Sequence, residues 1–191
     1  MFRRLLIVCW LFFGLFATTA LSAEACEEPK PDVSSDYPYK FPESILNLEL
    51  IEQGFEDDPR MGFFATYRAD EIYLDIFVYN YGIENIPDGI SSDVLIKHYA
   101  ETKKIIRQFG ADHAASLIGE TQTSFGPGQI PVLEAIHVLK FDDEPMLSFT
   151  FLTARYGDFI KVRLSLPRQQ LSQSDEIVAA MKESLGDVFC E

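Results

Sequence analysis

Three histidines are the side chains of this sequence best suited to acid–base chemistry near neutral pH, but their positions do not favour it. His98 flanks the apolar stripe of a predicted helix, His113 lies in a predicted connector, and His137 has the parity of inward-facing residues on a predicted strand. For His137 we expect a buried, hydrogen-bonded ring. The sequence also lacks a GxSxG turn, an HExxH motif, a Walker A loop, a GxGxxG turn and a complete EF-hand loop. We therefore predict no catalytic residue, no bound metal and no cofactor.

Two acidic runs could supply oxygen ligands to a hard cation such as Ca²⁺, which takes about six to eight of them. The runs are Glu56-Asp57-Asp58 and Asp142-Asp143-Glu144. Both fall between predicted strands, where aspartate is favoured because its side chain hydrogen-bonds to the turn backbone. We interpret both runs as turns.

Seven aromatic and cationic side chains form the candidate binding residues. They are Tyr73, Phe77, Tyr79, Tyr81, Arg155, Lys161 and Arg163. The aromatic residues follow one predicted strand and its exit, where they either pack under a helix or line a face that binds a protein or a small ligand. The cations gather around the last predicted hairpin, where they either bind an anionic partner or balance neighbouring carboxylates.

The first 23 residues have the composition of an export signal. Two arginines are followed by an apolar run from Leu5 to Phe16, and small residues precede a cut after Ala23. The stretch from Leu5 to Ala23 has 19 residues, close to the roughly 20 that span a bilayer, so an uncleaved anchor is one alternative, and lipid attachment at Cys26 is another. We predict a cleaved signal and an exported protein, periplasmic or secreted, with no stable membrane span after cleavage.

Cleavage would remove Cys9 and leave two cysteines, Cys26 and Cys190, at opposite ends of the chain. An oxidising compartment and an even cysteine count favour pairing, and neither residue has the spacing of a redox or zinc motif. We predict a structural bridge between Cys26 and Cys190. The formal net charge of −14 at pH 7 disfavours binding to nucleic acid or to anionic lipid.

The remaining chain is long enough for one domain with a core. Residues 24–43 are acidic and rich in proline, which predicts an extended lead-in whose alternating Tyr37, Tyr39 and Phe41 pack onto the domain. Residues 44–191 are predicted to form a single α/β sandwich domain. Residues 1–23, the predicted signal, precede these two segments.

From Ile45 onward the apolar residues mostly alternate with polar ones, which predicts strands. We predict seven strands and two helices in the order βββαββββα, with helices over 91–109 and from about Ser174. The third strand, 71–80, is apolar at both parities, so we expect both of its faces to be covered. Short turns between strands predict a mainly antiparallel sheet. The predicted fold class is α+β, with the helices packed on the faces of the sheet.

This order of elements resembles the PsbP-like α/β/α sandwich, the fold of extrinsic photosystem subunits and of several small bacterial envelope proteins. The chain is also similar to secreted bacterial proteins of unassigned function, in four motifs. These are Ile86-Pro87-Asp88-Gly89 before the first helix, then Leu152-Thr153, Gly157 and Phe159-Ile160-Lys161-Val162-Arg163-Leu164. The resemblance implies a sandwich fold and export, and it supplies no catalytic residue because a shared topology does not carry function.

Together these observations predict an exported, non-enzymatic envelope protein that acts as a protein-binding or accessory module. The alternative is a small-ligand carrier or sensor, and a carboxylate-dependent hydrolase is a third class. An exposed apolar patch would favour the binding module, a cavity beside the aromatic strand would favour the carrier, and pKa-shifted residues converging in a cleft would favour the hydrolase.

Overall fold

The structure is a computed structural model that describes residues 39–109, 115–126, 130–141 and 144–190. The strands are β1 (Ser44–Ile45), β2 (Leu48–Phe55), β3 (Phe63–Ala69), β4 (Ile72–Tyr79), β5 (Ser116–Phe125), β6 (Ile130–Phe141), β7 (Glu144–Arg155) and β8 (Asp158–Pro167). The helices are α1 (Asp93–Phe109) and α2 (Ser174–Cys190), with short 3-10 helices at Pro59–Met61 and Arg168–Gln173.

The eight strands form one sheet in the order β1-β2-β3-β4-β8-β7-β6-β5, and every neighbouring pair is antiparallel. Two meanders therefore meet where β4 pairs with β8. Helix α1 carries the chain from the central strand β4 to the edge strand β5. We predicted a central position for the third strand, residues 71–80, and the corresponding strand β4 lies at the centre of the sheet.

Two clusters of buried side chains lie on opposite sides of β4, because successive residues of a strand point to opposite faces. The larger cluster contains Leu74 and Ile76 of β4 together with Met181, Leu185 and Phe189 of α2. The smaller cluster contains Tyr79 of β4, Phe159 of β8, and Leu95 and Tyr99 of α1. Tyr39 and Phe41 of the lead-in pack against the larger cluster, which agrees with their alternation in the sequence.

The predicted fold class, a seven-stranded sheet with the helices packed on both faces, is wrong. The sheet has an eighth strand because the chain reverses at Leu46 and Asn47, so that Ile45 pairs with Leu48. Leu46 adopts a positive φ of 57° and is 40% exposed, although its place in the alternation suggested a strand residue. A two-residue strand is too short to produce a periodic signal.

The second error concerns the aromatic face of β4, for which we expected a covering layer of helix. Helix α1 covers this face only at Tyr79. At Phe77 and Asp75 the cations of β8 lie over the strand: Lys161 Nζ sits above the Phe77 ring, and the Arg163 guanidinium bonds to Asp75. Both cations carry long apolar stems, which can cover a ring or a neighbouring side chain. Alternation alone does not distinguish such a covering from a packed helix.

Each helix is fixed by a specific local contact. The amide of Leu95 donates to Ser92 Oγ at 3.3 Å, which caps the start of α1. On α2, a Cβ added to Gly186 would lie 2.4 Å from the Cα of Gly126, and the Gly126 amide donates to the Lys182 carbonyl at 2.8 Å. The absence of a side chain at Gly186 therefore lets α2 approach the end of β5. Within the described ranges, neither helix has the length and apolarity needed to cross a bilayer.

Several sequence predictions fall on residues that the structure does not describe. The signal, the cleavage site, Cys26 and Tyr37 precede residue 39, and His113 and Asp142-Asp143 fall in the gaps. Cys190 is the last residue of α2 and packs against the larger cluster. Its bridge to Cys26 stays a prediction, as do export and cleavage.

Candidate functional site

The structure brings four of the candidate binding residues together at the centre of the sheet. The register of β4 and β8 places Phe77 opposite Lys161 and Tyr79 opposite Phe159. Lys161 Nζ lies 4.4 Å from the ring centroid of Phe77 and 5.3 Å from that of Tyr79. Tyr81 follows, with its ring centroid 4.7 Å from that of Tyr79. Tyr79 is buried, Phe77 and Lys161 are half-buried, and Tyr81 is exposed.

His98 of α1 joins this group, although we interpreted it from the sequence as a residue at the edge of the helix stripe. Its Nε2 lies 2.7 Å from the hydroxyl of Tyr79. Its ring centroid lies 5.5 Å from that of Tyr81 and 4.4 Å from that of Phe159. We name these six residues the aromatic–lysine cluster: Phe77, Tyr79, Tyr81, His98, Phe159 and Lys161.

Burial governs the ionisation of this cluster, because a charged form loses hydration when it is enclosed. Burial, with a smaller effect from the nearby Lys161 charge, lowers the pKa of His98 to about 4. Burial also raises the pKa of the Tyr79 hydroxyl well above its usual value. The pKa of Lys161 falls to about 8, again through burial first and then through the positive charge of Arg163. Near neutral pH, His98 and Tyr79 are therefore both uncharged.

We expect His98 to make the folded protein sensitive to acid. Its pKa falls from 6.5 in the unfolded chain to about 4 on folding, so the unfolded state takes up the proton first. This stabilisation is complete above about pH 6.5 and is lost as the pH falls towards about 4. Because the ring is partly exposed, we expect its loss to lower the free energy of unfolding by about 1–2 kcal/mol.

Denaturant unfolding at about pH 7 and about pH 4.5 tests this on the wild type and on His98→Gln. Glutamine keeps a hydrogen-bonding group for Tyr79 but does not titrate. The loss of stability between the two pH values should be smaller in the variant. The same loss in both proteins would show that other groups account for the acid sensitivity.

The other three candidate binding residues do not reach the aromatic–lysine cluster by the contacts described. The Arg163 guanidinium donates to Asp75 Oδ2 from Nε at 3.1 Å and from Nη2 at 2.6 Å. Tyr73 lies under Arg68, whose Cζ is 4.9 Å from its ring centroid. Arg155 donates from Nη2 to the Tyr156 hydroxyl at 2.7 Å. Arg163 therefore balances a carboxylate, which was one of the two interpretations of the cations.

His137 is fully buried, as its parity predicts, but it is not the hydrogen-bonded histidine that we expected. Among the described residues, neither ring nitrogen has a hydrogen-bond partner, and the same holds for Ser148 Oγ on the neighbouring strand. Burial lowers the pKa of His137, with a further effect from the Arg107 charge, so the ring is kept neutral. Strand parity predicted its burial correctly but carried no information about partners.

The first acidic run forms a turn, as we predicted. Asp58 accepts a hydrogen bond from the Arg60 amide at 3.0 Å at the start of the short helix Pro59–Met61, and it pairs with the Arg60 side chain. The side-chain bonds to Arg60 lower the pKa of Asp58 to about 2. Within residues 39–109, 115–126, 130–141 and 144–190, no group of three or more histidine, cysteine or carboxylate side chains could hold a metal ion.

The outer edge of β2 is a surface that the sequence analysis missed. In the described chain, β1 pairs only with Leu48 and Glu49, and the Leu50 amide donates to the Glu43 carbonyl at 2.9 Å, so β2 has no outer strand from Ile51 onward. Along and just past this edge, Ile51 and Phe55 are each 61% exposed. The carboxylates of Glu52, Glu56 and Asp57 are exposed beside them. We name Ile51, Glu52, Phe55, Glu56 and Asp57 the β2-edge surface.

Backbone hydrogen bonds connect the β2-edge surface to the exit of β4. The amide of Glu56 donates to the carbonyl of Gly62 at 2.9 Å, and the amide of Tyr81 donates to the carbonyl of Arg60 at 2.9 Å. The sequence contains one signal for this surface: two apolar residues, Ile51 and Phe55, lie near the end of a strand and before an acidic turn.

A groove of about 250 Å³ is formed where the lead-in meets α2. Its lining residues are Lys40, Pro42, Ser44, Ile45, Leu46, Ser184, Asp187 and Val188. None of the aromatic residues of β4 lines it. It is therefore not the cavity beside the aromatic strand that a ligand carrier was predicted to need.

Compared with the models of known protein families and with curated proteins, the chain gives no match. The resemblance to PsbP-like and secreted bacterial proteins consequently stays a prediction.

Proposed function

We propose that this protein is an exported, non-enzymatic module that binds an extended segment of a protein partner along the outer edge of β2. The observation that supports the proposal most directly is the length difference between β1 and β2. Two residues of β1 cannot cover a strand of eight. Backbone N–H and C=O groups on a sheet edge can pair with an incoming strand, a recurring mode of peptide recognition.

The side chains of the β2-edge surface specify the chemistry of that segment. Ile51 and Phe55 offer apolar contact, and aromatic residues are enriched in protein interfaces. Glu52, Glu56 and Asp57 favour lysine or arginine on the partner, since complementary charge speeds association and excludes other partners. The net charge of −14 adds a long-range attraction to a basic segment.

The opposite edge of the sheet is less suited to this role. On β5, Lys103 of α1 pairs with Glu120, and Lys182 of α2 donates to Thr123 Oγ1 at 3.1 Å. Both helices thus place side chains next to that strand, and covering a sheet edge with a helix hinders its pairing with a further strand. The outer edge of β2 has no comparable helix contact among the described residues.

The aromatic–lysine cluster supports a non-enzymatic function less directly. A general acid or base works best when its pKa lies near the operating pH. The pKa of His98 lies at about 4 and that of Tyr79 lies far above neutrality, so this hydrogen-bonded pair does not exchange a proton near pH 7. The carboxylate-dependent hydrolase has no support from the Asp75 side chain either, because Arg163 and Thr66 already bond to it.

Site-specific photo-crosslinking tests the proposed binding surface. A photoreactive phenylalanine analogue at position 55 should crosslink one partner in the native extracytoplasmic fraction. The same analogue at position 118 is the matched control, because Ile118 is 59% exposed on the other edge strand, β5. We expect no crosslink to that partner from position 118.

Charge reversal then tests the chemistry of the segment. The double variant Glu52→Lys and Glu56→Lys should weaken partner binding about tenfold or more, since the loss of a central contact costs about 1–2 kcal/mol or more. A double reversal at Glu176 and Glu183 on α2 changes the net charge equally and should have a small effect. The proposal is wrong if both double variants weaken binding equally, or if positions 55 and 118 crosslink the same proteins.

A further inference from the structure

We propose that Lys161 is a nucleophilic amine that forms an imine with an aromatic aldehyde ligand at the aromatic–lysine cluster. This cluster lies on β4, its exit, β8 and α1, and it shares no residue with the β2-edge surface. The proposed imine at Lys161 can therefore be tested independently of the proposed protein partner.

The surroundings of Lys161 are unusual for a lysine. A charged lysine that is partly buried is normally paired with a carboxylate, since burial of an unpaired charge is costly. Lys161 has no ion pair or hydrogen bond to a carboxylate in the part of the chain that the structure describes, and its Nζ rests against the rings of Phe77 and Tyr79. Two ring faces, and no carboxylate of the described residues, therefore hold the amine.

The nearest carboxylate on the same face is already engaged. Asp75 lies one pair further along β4 and β8 and accepts two bonds from Arg163, at 3.1 and 2.6 Å. Thr66 Oγ1 adds a third bond to Asp75 at 3.2 Å. On its other side, Lys161 is paired in register with the apolar Leu152 of β7. None of these neighbours forms an ion pair with the Lys161 amine.

These surroundings favour the neutral amine, which is the form that attacks a carbonyl carbon. The pKa of Lys161 falls to about 8 through burial and the Arg163 charge, while the charge of Asp75 acts in the opposite direction. The two ring faces act in the same direction as Asp75, since a ring face attracts a nearby cation. Near neutral pH, roughly a tenth of a group with such a pKa is uncharged, compared with less than about a thousandth of an ordinary lysine.

The reaction proposed is balanced without any additional reagent. The ammonium first releases a proton to solvent, and the amine lone pair then adds to the carbonyl carbon of the aldehyde. The resulting carbinolamine loses water, so that R–CHO and Lys–NH₂ yield R–CH=N–Lys and H₂O. The step is neither an oxidation nor a reduction, and hydrolysis reverses it.

The rings around Lys161 define the class of aldehyde. Tyr81 is 41% exposed and its ring contacts both Tyr79 and His98, so it offers a solvent-facing aromatic surface beside the amine. Aromatic rings gain from offset or edge contacts with one another. An aromatic aldehyde could form the covalent bond to Lys161 and pack against Tyr81 at the same time.

Labelling of the wild-type protein with pyridoxal 5′-phosphate, followed by borohydride reduction and peptide mapping, tests the proposal. Reduction converts the imine to a stable secondary amine, which mass analysis locates. At about pH 7 and limiting aldehyde, we expect Lys161 to be labelled about tenfold or more faster than the exposed Lys97 on α1. The labelling rate of Lys161 should rise with a midpoint near pH 8, and that of Lys97 with a midpoint above about pH 10.

Two substitutions serve as controls. Lys161→Arg keeps the positive charge but removes the nucleophile and should abolish the preferred adduct, whereas Lys97→Arg should leave it unchanged. Tyr81→Ala should slow labelling at Lys161 if the exposed ring holds the aldehyde. Equal labelling of Lys161 and Lys97, or a midpoint above pH 10 for Lys161, would overturn the proposal. Neither result would affect crosslinking at position 55.

Discussion

Replacement of Arg163 by methionine is expected to lower the free energy of unfolding by about 3 kcal/mol. The side chain of Asp75 is only 12% exposed, and Arg163 supplies two of the three hydrogen bonds that its carboxylate accepts. Removal of the cation leaves a nearly buried carboxylate with the Thr66 hydroxyl alone. Removal of one partner of a buried pair costs about 3–5 kcal/mol, and we take the lower value because Arg163 is itself 50% exposed.

Lys161→Met is the matched control for this prediction. Lys161 lies two residues before Arg163 on the same face of β8, but it pairs in register with Phe77 and not with a carboxylate. Methionine keeps an apolar stem over the ring and removes a partly buried charge, so we expect a change of no more than about 0.5 kcal/mol, or a small gain.

Urea unfolding of both variants measures the difference. The double variant Asp75→Asn with Arg163→Met should regain part of the lost stability, because replacing both members of a buried pair costs less than removing one. Equal destabilisation by Arg163→Met and Lys161→Met would show that the ion pair with Asp75 is not what distinguishes the two cations.

This contrast shows where prediction from the sequence reaches its limit. The alternation along β8 correctly placed Lys161 and Arg163 on one face, because strand parity is a local property. Their different roles depend on which residue of β4 lies opposite each of them, Phe77 or Asp75. Cross-strand register is set by the whole sheet, and the residue pattern of a single sequence does not reveal it.

The first strands illustrate a second limit. Ile45 to Leu50 alternate as one strand would, but the positive φ of Leu46 breaks them into β1, a tight turn and β2. Leucine is a poor signal for such a turn, because residues with a Cβ rarely adopt a positive φ. The missed turn is also the reason that the open edge of β2 was missed. The long elements β4, α1 and α2 were placed well, since each has an extended periodic pattern.

Gly62→Ala is expected to lower the free energy of unfolding by about 3 kcal/mol or more, at least as much as Arg163→Met. Gly62 adopts φ 66° and ψ −135°, a combination that is essentially open to glycine alone. An added Cβ would lie 2.0 Å from the carbonyl oxygen of Val78 and 2.9 Å from the Cα of Tyr79. Both are backbone atoms of β4, so neither can move aside without displacing the central strand. Strain at a non-glycine residue costs about 1–3 kcal/mol, and overpacking adds about 1–3 kcal/mol.

Gly157→Ala separates the two contributions. Gly157 also has a positive φ, of 84°, but a Cβ there would meet no atom within 4 Å. Gly157→Ala should therefore lower the free energy of unfolding only by the conformational penalty of a positive φ, about 1–2 kcal/mol. For a domain of this size we expect the melting temperature to fall by roughly 3–6 °C in Gly157→Ala and by roughly 8 °C or more in Gly62→Ala.

The position of Gly62 extends this prediction to the proposed binding surface. The Gly62 carbonyl accepts a hydrogen bond from the Glu56 amide, and the Arg60 carbonyl, two residues earlier, accepts one from the Tyr81 amide. This turn therefore holds the end of β2 against the exit of β4. Below its melting temperature, Gly62→Ala should weaken photo-crosslinking from position 55, whereas Gly157→Ala should not. If Gly62→Ala melts within a few degrees of Gly157→Ala and crosslinks as well as the wild type, the backbone of β4 moves enough to accommodate the added Cβ. The β2-edge surface would then not depend on the close approach of Gly62 to Val78.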